Sequence, residues 1–467
     1  MLQEHRIGHV ILRKYLWLSA LAAVVALALL LSGNAVWAKE RKREGKNDRA
    51  VRLLATVPIP PTLDNNTANG LYSFDISWVD QATETYYLAD RSNRAVDIVD
   101  AKTNTFLGQL TATPPFRGVS PPAFAAGTAG PNGVVTAGHC LFVTDAPSRV
   151  VSFDTTSFPP TQVSDVQTDP TDPTRADELA VDPRDSLILA INNASTPPFG
   201  TFITFDAAQC TLTPPDRATD RIIFDLAHGV DATGGVEQPI WDPGTHKFYL
   251  SIPQIAGVAE EGAVVRIDPT TKQVDTTYEI KFCSPAGLTL GPHEDVLVGC
   301  NTVFDTAGQL WTAIDTNTAA PIQVILNVVT GDQDQVAGVG VGDEVWFNKG
   351  DGNYYTASST SPLRPLDITP SPPVPTLTAQ GAAILGVIDA KDKEVLQLVP
   401  TFNVPVVTGV HPAGTAHSVA VDAKNNHIFV PLAANNVYPD CTTGCIAVYW
   451  HGDEDEPGEA ALPPAER

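Results

Sequence analysis

Apolar positions along this chain fall into two kinds of run. The first is continuous: Tyr15 to Leu31 carries no charge, follows Arg6, Arg13 and Lys14, and ends at Ser32-Gly33-Asn34. The second is short and repeated. From Val51 onward, brief stretches rich in Val, Ile, Leu, Tyr and Phe alternate with turns rich in Asp, Pro, Gly, Asn and Thr. No sustained 3.6-residue period occurs there, so the pattern predicts strands and no helix.

One form recurs: an apolar strand, then Asp, then a polar turn. It reads VDIVDAKTN at Asp100, VVSFDTTS at Asp154, FITFDAAQ at Asp206, VVRIDPTTK at Asp268, WTAIDTNT at Asp315 and LGVIDAKDK at Asp389. A degenerate seventh copy is CIAVYWHG from Cys445 to Gly452. Asp suits this place because its carboxylate accepts backbone N–H bonds and starts a tight turn. A strand–turn–strand form precedes the copies, as in ELAVDPRDSLILA, PIWDPGTHKFYLS, LTLGPHEDVLVG and SVAVDAKNNHIFV. Each unit of about 50 residues therefore holds three or four antiparallel strands. So small a sheet cannot bury both faces alone, and radial packing of copies solves that.

The expected fold is all-β: a β-propeller of seven blades, each of four antiparallel strands. The last copy lacks a fourth strand, and Val51 to Val57 supplies one, joining the two ends of the chain in a single blade and removing sheet edges. VVRIDPTTKQV and LGVIDAKDKEV resemble the repeats of YVTN and NHL-type propellers, and the strand-pair segments are similar to those of regucalcin/gluconolactonase-like propellers. The expected divisions are a secretory signal or uncleaved anchor over 1–38, a basic linker over 39–50, the propeller over 51–451 and an acidic disordered tail over 452–467.

Charge narrows the partners. Asp and Glu number 53 against 29 Lys and Arg, for a net charge of −24. Phosphate recognition needs clustered cations, so nucleic acid is excluded as a partner. The basic–apolar–small order at the amino terminus reads as export to the periplasm or cell exterior, with membrane contact only through an uncleaved anchor. Six cysteines in an oxidising compartment predict disulfides. Cys441 and Cys445 could close a small loop and Cys283 could meet Cys300, but spacing leaves the pairing open.

Extra length collects in the loops between second and third strands (Pro253–Gly262, Gly350–Gln380, Ala434–Gly444) and between blades (Ala112–Pro131, Pro159–Ala176, Pro214–Gly235, Thr401–Ala416). In a propeller both loop classes leave one face, which marks it as the functional one. The Lys349–Tyr355 run reads as a loop tip near that face. Inner strands start there. Aligned on the turn Asp, their first positions are Asp75, Asp177, Glu237 and His417, with Asn132 and Ala286 in Pro-x-Gly units and Ala337 in the weakest unit. Converging carboxylates repel unless they share a proton or cation, so Glu237, Asp177, Asn132 and Asp75 form a candidate site for a divalent metal, Ca²⁺ first and Mg²⁺ or Zn²⁺ next. Glu237-Gln238-Pro239-Ile240-Trp241-Asp242-Pro243 resembles the regucalcin-like segment whose Glu binds the catalytic metal, which implies that role for Glu237. The pattern departs from that family at Ala286, where an Asn is expected, and at His417, where a carboxylate is.

No GxSxG nucleophile turn, phosphate-binding GKS/T loop or HExxH helix occurs. Two functions follow. The first is an exported, monomeric propeller that binds a small molecule, polymer or protein at its channel mouth. The alternative is a metal-dependent lactonase or esterase in which His417 or His411 acts as base.

Overall fold

Each repeat folds as the alternation dictates. In blade 1, strands Ser77–Asp80, Thr85–Asp90, Ala95–Asp100 and Thr105–Leu110 pair antiparallel in chain order. The structure, a computed structural model, describes residues 50–119, 125–232, 234–313, 321–363, 366–367, 374–375, 381–401 and 417–451. Five further four-stranded sheets repeat the order; their inner strands are Val134–Ala137, Leu179–Asp182, Pro239–Asp242, Cys283–Leu290 and Val341–Asn348. Blade 7 is Ala420–Asp422, His427–Leu432 and Cys445–Trp450, completed by Arg52–Pro58, which pairs from Arg52 opposite Trp450 to Pro58 opposite Cys445. The fold is thus an all-β propeller of seven four-stranded blades, and the described helix amounts to two three-residue 3₁₀ turns.

Each inner strand contacts the inner strand of the next blade, and Ser77–Asp80 returns to Ala420–Asp422 to close the ring. At that seam the Ser77 and Ser418 hydroxyls lie 2.9 Å apart, and the Gln81 amide donates to the Val421 carbonyl at 2.7 Å. Cores form between blades: Phe202 of blade 3 meets Phe248 of blade 4 edge-on at 6.2 Å, and Tyr86 of blade 1 stacks on Phe429 of blade 7 at 5.0 Å. Outer strands such as Gln273–Lys281 alternate exposed and half-buried positions because one face meets water.

The turn chemistry is as the repeats imply. Asp100 accepts from the backbone of Lys102 and Thr103, Asp268 from Thr270 and Thr271, and Asp389 from Lys391 and Asp392. Blade 5 departs from the expected phase. Its third strand is Ile322–Asn327, and Asn327 Oδ1 accepts from Val329 and Thr330 in the same geometry. Asn takes the place of Asp as the turn-former, and Asp315 lies outside the described residues. The expected inner position Ala337 is corrected in consequence: it ends the outer strand Gln333–Ala337.

Other expected loops are shorter than drawn. Thr161–Gln167 and Arg221–Ile223 are the fourth strands of blades 2 and 3, within stretches read as interblade loops. Lys349 to Gly352 is the tight hairpin between Val341–Asn348 and Asn353–Thr360, at the opposite end of the inner strand from the long loops. The signal, most of the linker, the acidic tail and His411 lie outside the described residues.

All six cysteines pair: Cys140–Cys210, Cys283–Cys300 and Cys441–Cys445. Three disulfides suit an oxidising compartment.

Candidate functional site

The inner strands of blades 1 to 4 each begin with a two-against-one bulge. Asp75 N donates to Ala89 O at 2.9 Å while Ala89 N donates to Ile76 O at 3.0 Å, so two residues face one. The same exchange joins Asn132 and Gly133 to Thr144, Asp177 and Glu178 to Ile191, and Glu237 and Gln238 to Ser251. A bulge re-aims side chains at a strand end. It is how the consecutive Asp177 and Glu178 reach one point. Gly133 is required at its bulge, where a Cβ would stand 2.8 Å from the Asp177 carbonyl of the next blade.

The mouth divides into two halves of different chemistry. On the side of blades 1, 2, 6 and 7, polar atoms are partnered. Arg91, on the turn after Thr85–Asp90, is buried and pairs with Asp75, and its Nε donates to Asn132 Oδ1 at 2.9 Å. Asn132 Nδ2 donates to the carbonyls of Ala129 (3.0 Å) and Ala176 (2.8 Å). His417 bridges two carboxylates, with Nε2 2.8 Å from Asp75 and Nδ1 2.6 Å from Asp343. Asp343 lies five residues before the turn residue Asn348, the spacing that separates Asp75 from Asp80. It therefore fills the register position that was expected at Ala337.

The other half is acidic and incompletely paired. Asp177, Glu178 and Glu237 each offer an oxygen, all within 4.8 Å of one another. Arg175 Nη2 donates to Asp177 Oδ2 at 2.7 Å. Asp177 Oδ1 and Glu178 Oε2 are buried without a hydrogen-bond partner, although their residues are only 2% and 7% exposed. Glu344, 4% exposed, receives the Gln238 amide at 3.1 Å. The other described cluster of metal-ligand type, His139 with Cys140 and Cys210, has both sulfurs in a disulfide and offers no thiolate.

Protonation follows these surroundings. Burial raises the Asp75 pKa, but Arg91, His417 and Arg175 outweigh it and hold it at about 2. Burial pushes Asp177 to about 6 against the pull of Arg175, and Glu237 to about 8 with Asp177 and Asp343 adding repulsion. Glu178 and Glu344 also lie well above the usual carboxyl range, chiefly from burial. Burial opposes charge on His417, yet Asp343 and Asp75 prevail and raise it well above its ordinary value.

A pH dependence follows. His417 and Glu237 both have folded pKa values above their unfolded ones, so their stabilisation is full below the unfolded values, about 6.5 and 4.3, and is lost as pH rises through the folded ones. Asp75 acts oppositely, and its contribution is lost as pH falls from about 4 toward 2. In chelator, the thermal midpoint of the ring is expected to peak near pH 4–5 and fall steadily to pH 8. A midpoint that climbs from pH 5 to 8 would refute this electrostatic reading.

Of the residues expected from sequence, Asp75, Asn132, Asp177, Glu237 and His417 all stand at the mouth. Asp177 and Glu237 meet in the trio, whereas Asp75 and Asn132 are engaged by Arg91. Sequence reading missed Glu178, Asp343, Glu344, Arg91 and Arg175. The doubled acids Asp177-Glu178 and Asp343-Glu344 at strand starts were the available sign.

Fold and site together define a seven-bladed β-propeller with a cluster of buried acids where its inner strands begin. No family profile and no curated protein sequence matches the chain. Among solved structures, hydrazine synthase of Kuenenia stuttgartiensis is similar, with a TM-score of 0.54 at 10% identity, covering 84% of this chain and 98% of that one. At that identity the likeness shows the propeller fold alone.

Proposed function

We propose that this protein is an exported binding propeller whose channel mouth holds a divalent cation between Asp177, Glu178 and Glu237. The supporting observation is the pair of buried carboxylate oxygens, Asp177 Oδ1 and Glu178 Oε2, that accept no hydrogen bond, Arg91 standing 3.9 Å from the first. Burial and mutual repulsion oppose ionisation of these three groups, and a shared cation would let them ionise. An all-carboxylate donor set suits a hard cation such as Ca²⁺, which takes about six to eight oxygen ligands. Three carboxylates leave several of its six to eight positions for water and for a ligand delivered over the interblade loops. The bound partner is then a small molecule, polymer or protein rich in oxygen donors.

An open cation position also serves metal-assisted hydrolysis, as in the regucalcin/gluconolactonase-like propellers. Binding is the better reading because both ring nitrogens of His417 contact carboxylates, which keeps the imidazole protonated and unfit as a base.

Calcium titrated into chelator-treated protein is expected to bind at about one equivalent, and Glu178→Gln to weaken it more than tenfold, a loss above about 1.4 kcal/mol. Calorimetry reads both. No saturable heat in the unsubstituted protein would dispose of the site.

A further inference from the structure

Beyond the charged mouth the channel changes character. The inner strands of blades 1 to 6, with Ala423 on the turn after that of blade 7, line a cavity of about 420 Å³ toward the short-hairpin face. Its wall carries Trp78, Trp241 and Trp346, with Phe347 beside them. Trp78 and Trp346 meet edge-on at 5.1 Å, and Trp78 Nε1 donates to Thr136 Oγ1 at 2.9 Å, which fixes its ring. Each indole is half-buried, packing one side against an interblade core.

The two ends of this cavity differ in polar character. At the deep end stands Gln238, whose Oε1 accepts from Leu288 N at 2.5 Å and whose Nε2 donates to Glu344 Oε2. Glu344 is thus one hydrogen bond behind the lining, and Glu178 adjoins it, each repelling the other. At the outer end is Lys349. An apolar body suits the middle, a cation suits the deep end, and Lys349 disfavours a cation at the entrance. Indole faces also attract cations. A carboxylate ligand would further oppose ionisation of Glu344 and Glu178, whereas an ammonium would favour it.

We propose that this cavity is a second binding site, for an organic cation: a primary ammonium on an aryl or alkyl body. The body packs among Trp78, Trp241 and Trp346, and the ammonium replaces the Gln238 amide as donor to Glu344. The volume matches small-molecule pockets, which run about 300–1,000 Å³ with mainly apolar walls and a few placed polar groups. Glu344 is not one of the calcium-holding trio, although its charge acts on Glu178.

The test uses three matched probes, 4-phenylbutylammonium, 4-phenylbutanol and 4-phenylbutyrate, titrated into the purified protein by calorimetry and tryptophan fluorescence. The ammonium is expected to bind at about one equivalent with a fluorescence change, the alcohol at least tenfold more weakly, and the carboxylate not measurably. Glu344→Gln should bring the ammonium down to the alcohol's affinity, and Trp346→Leu should weaken both. Equal affinity for ammonium and alcohol, no binding of any probe, or a preference unchanged by Glu344→Gln would overturn the proposal. Should that variant fail to fold, the three probes on the unsubstituted protein still decide. Calcium binding that persists without ammonium binding would remove this site alone.

Discussion

Arg91→Ala is expected to destabilise the ring by about 3–5 kcal/mol, the usual consequence of removing one partner of a buried ion pair. The guanidinium is the main counter-charge of Asp75, donates to Asn132 Oδ1 and stands 3.9 Å from Asp177. Without it Asp75 keeps only His417 nearby and a distant contact with Arg175, and Asn132 Oδ1 loses its donor. These groups join blades 1, 2 and 3, so the loss falls on packing between blades. Arg91→Lys restores charge but not the planar fork, and its expected cost is intermediate. Urea unfolding followed by circular dichroism measures both. A loss below about 1 kcal/mol for the alanine variant would mean that water solvates this network as well as the protein does.

The second large effect concerns Cys140–Cys210. It links the second strand of blade 2 to the turn after the third strand of blade 3, across 70 residues. In the chain-entropy account such a loop stabilises by about 4 kcal/mol, whereas the four-residue separation of Cys441–Cys445 gives only about 2 kcal/mol. The double replacement Cys140→Ala/Cys210→Ala is therefore expected to lower the unfolding midpoint roughly twice as far as Cys441→Ala/Cys445→Ala. The reverse order would show that restriction of the unfolded chain is not the source of the stabilisation. Cys210 is fully buried, and its carbonyl accepts from Ser152 of blade 2 at 2.6 Å, so the blade seam itself persists in the variant.

The repeats made the propeller legible because one physical device, a carboxylate closing a turn, recurs after the third strands of blades 1 to 4 and 6. Where another residue performs that task, the reading slipped. Asn327 closes its turn as Asp268 does, and the Ile-Asp pair before it at Asp315 drew the phase of blade 5 away. Misplacing that blade hid Asp343, because the channel position is counted back from the turn. Glu178 was hidden for a different reason. A regular strand alternates its faces, so two consecutive residues are not expected to share one point; the bulge opposite Ile191 breaks that rule. Arg91 and Arg175 lie on connections, where no strand register fixes a side chain, and only folding shows them turned inward. The pairing of Cys140 with Cys210 depends likewise on two blades being neighbours.

Elemental analysis of the purified protein, with no metal added, tests the channel-mouth cation most directly. The expected result is about one equivalent of calcium that survives dialysis, and its loss in Glu237→Gln while circular dichroism still shows the folded ring. Protein that carries no divalent metal and takes none up when calcium is supplied would contradict the account.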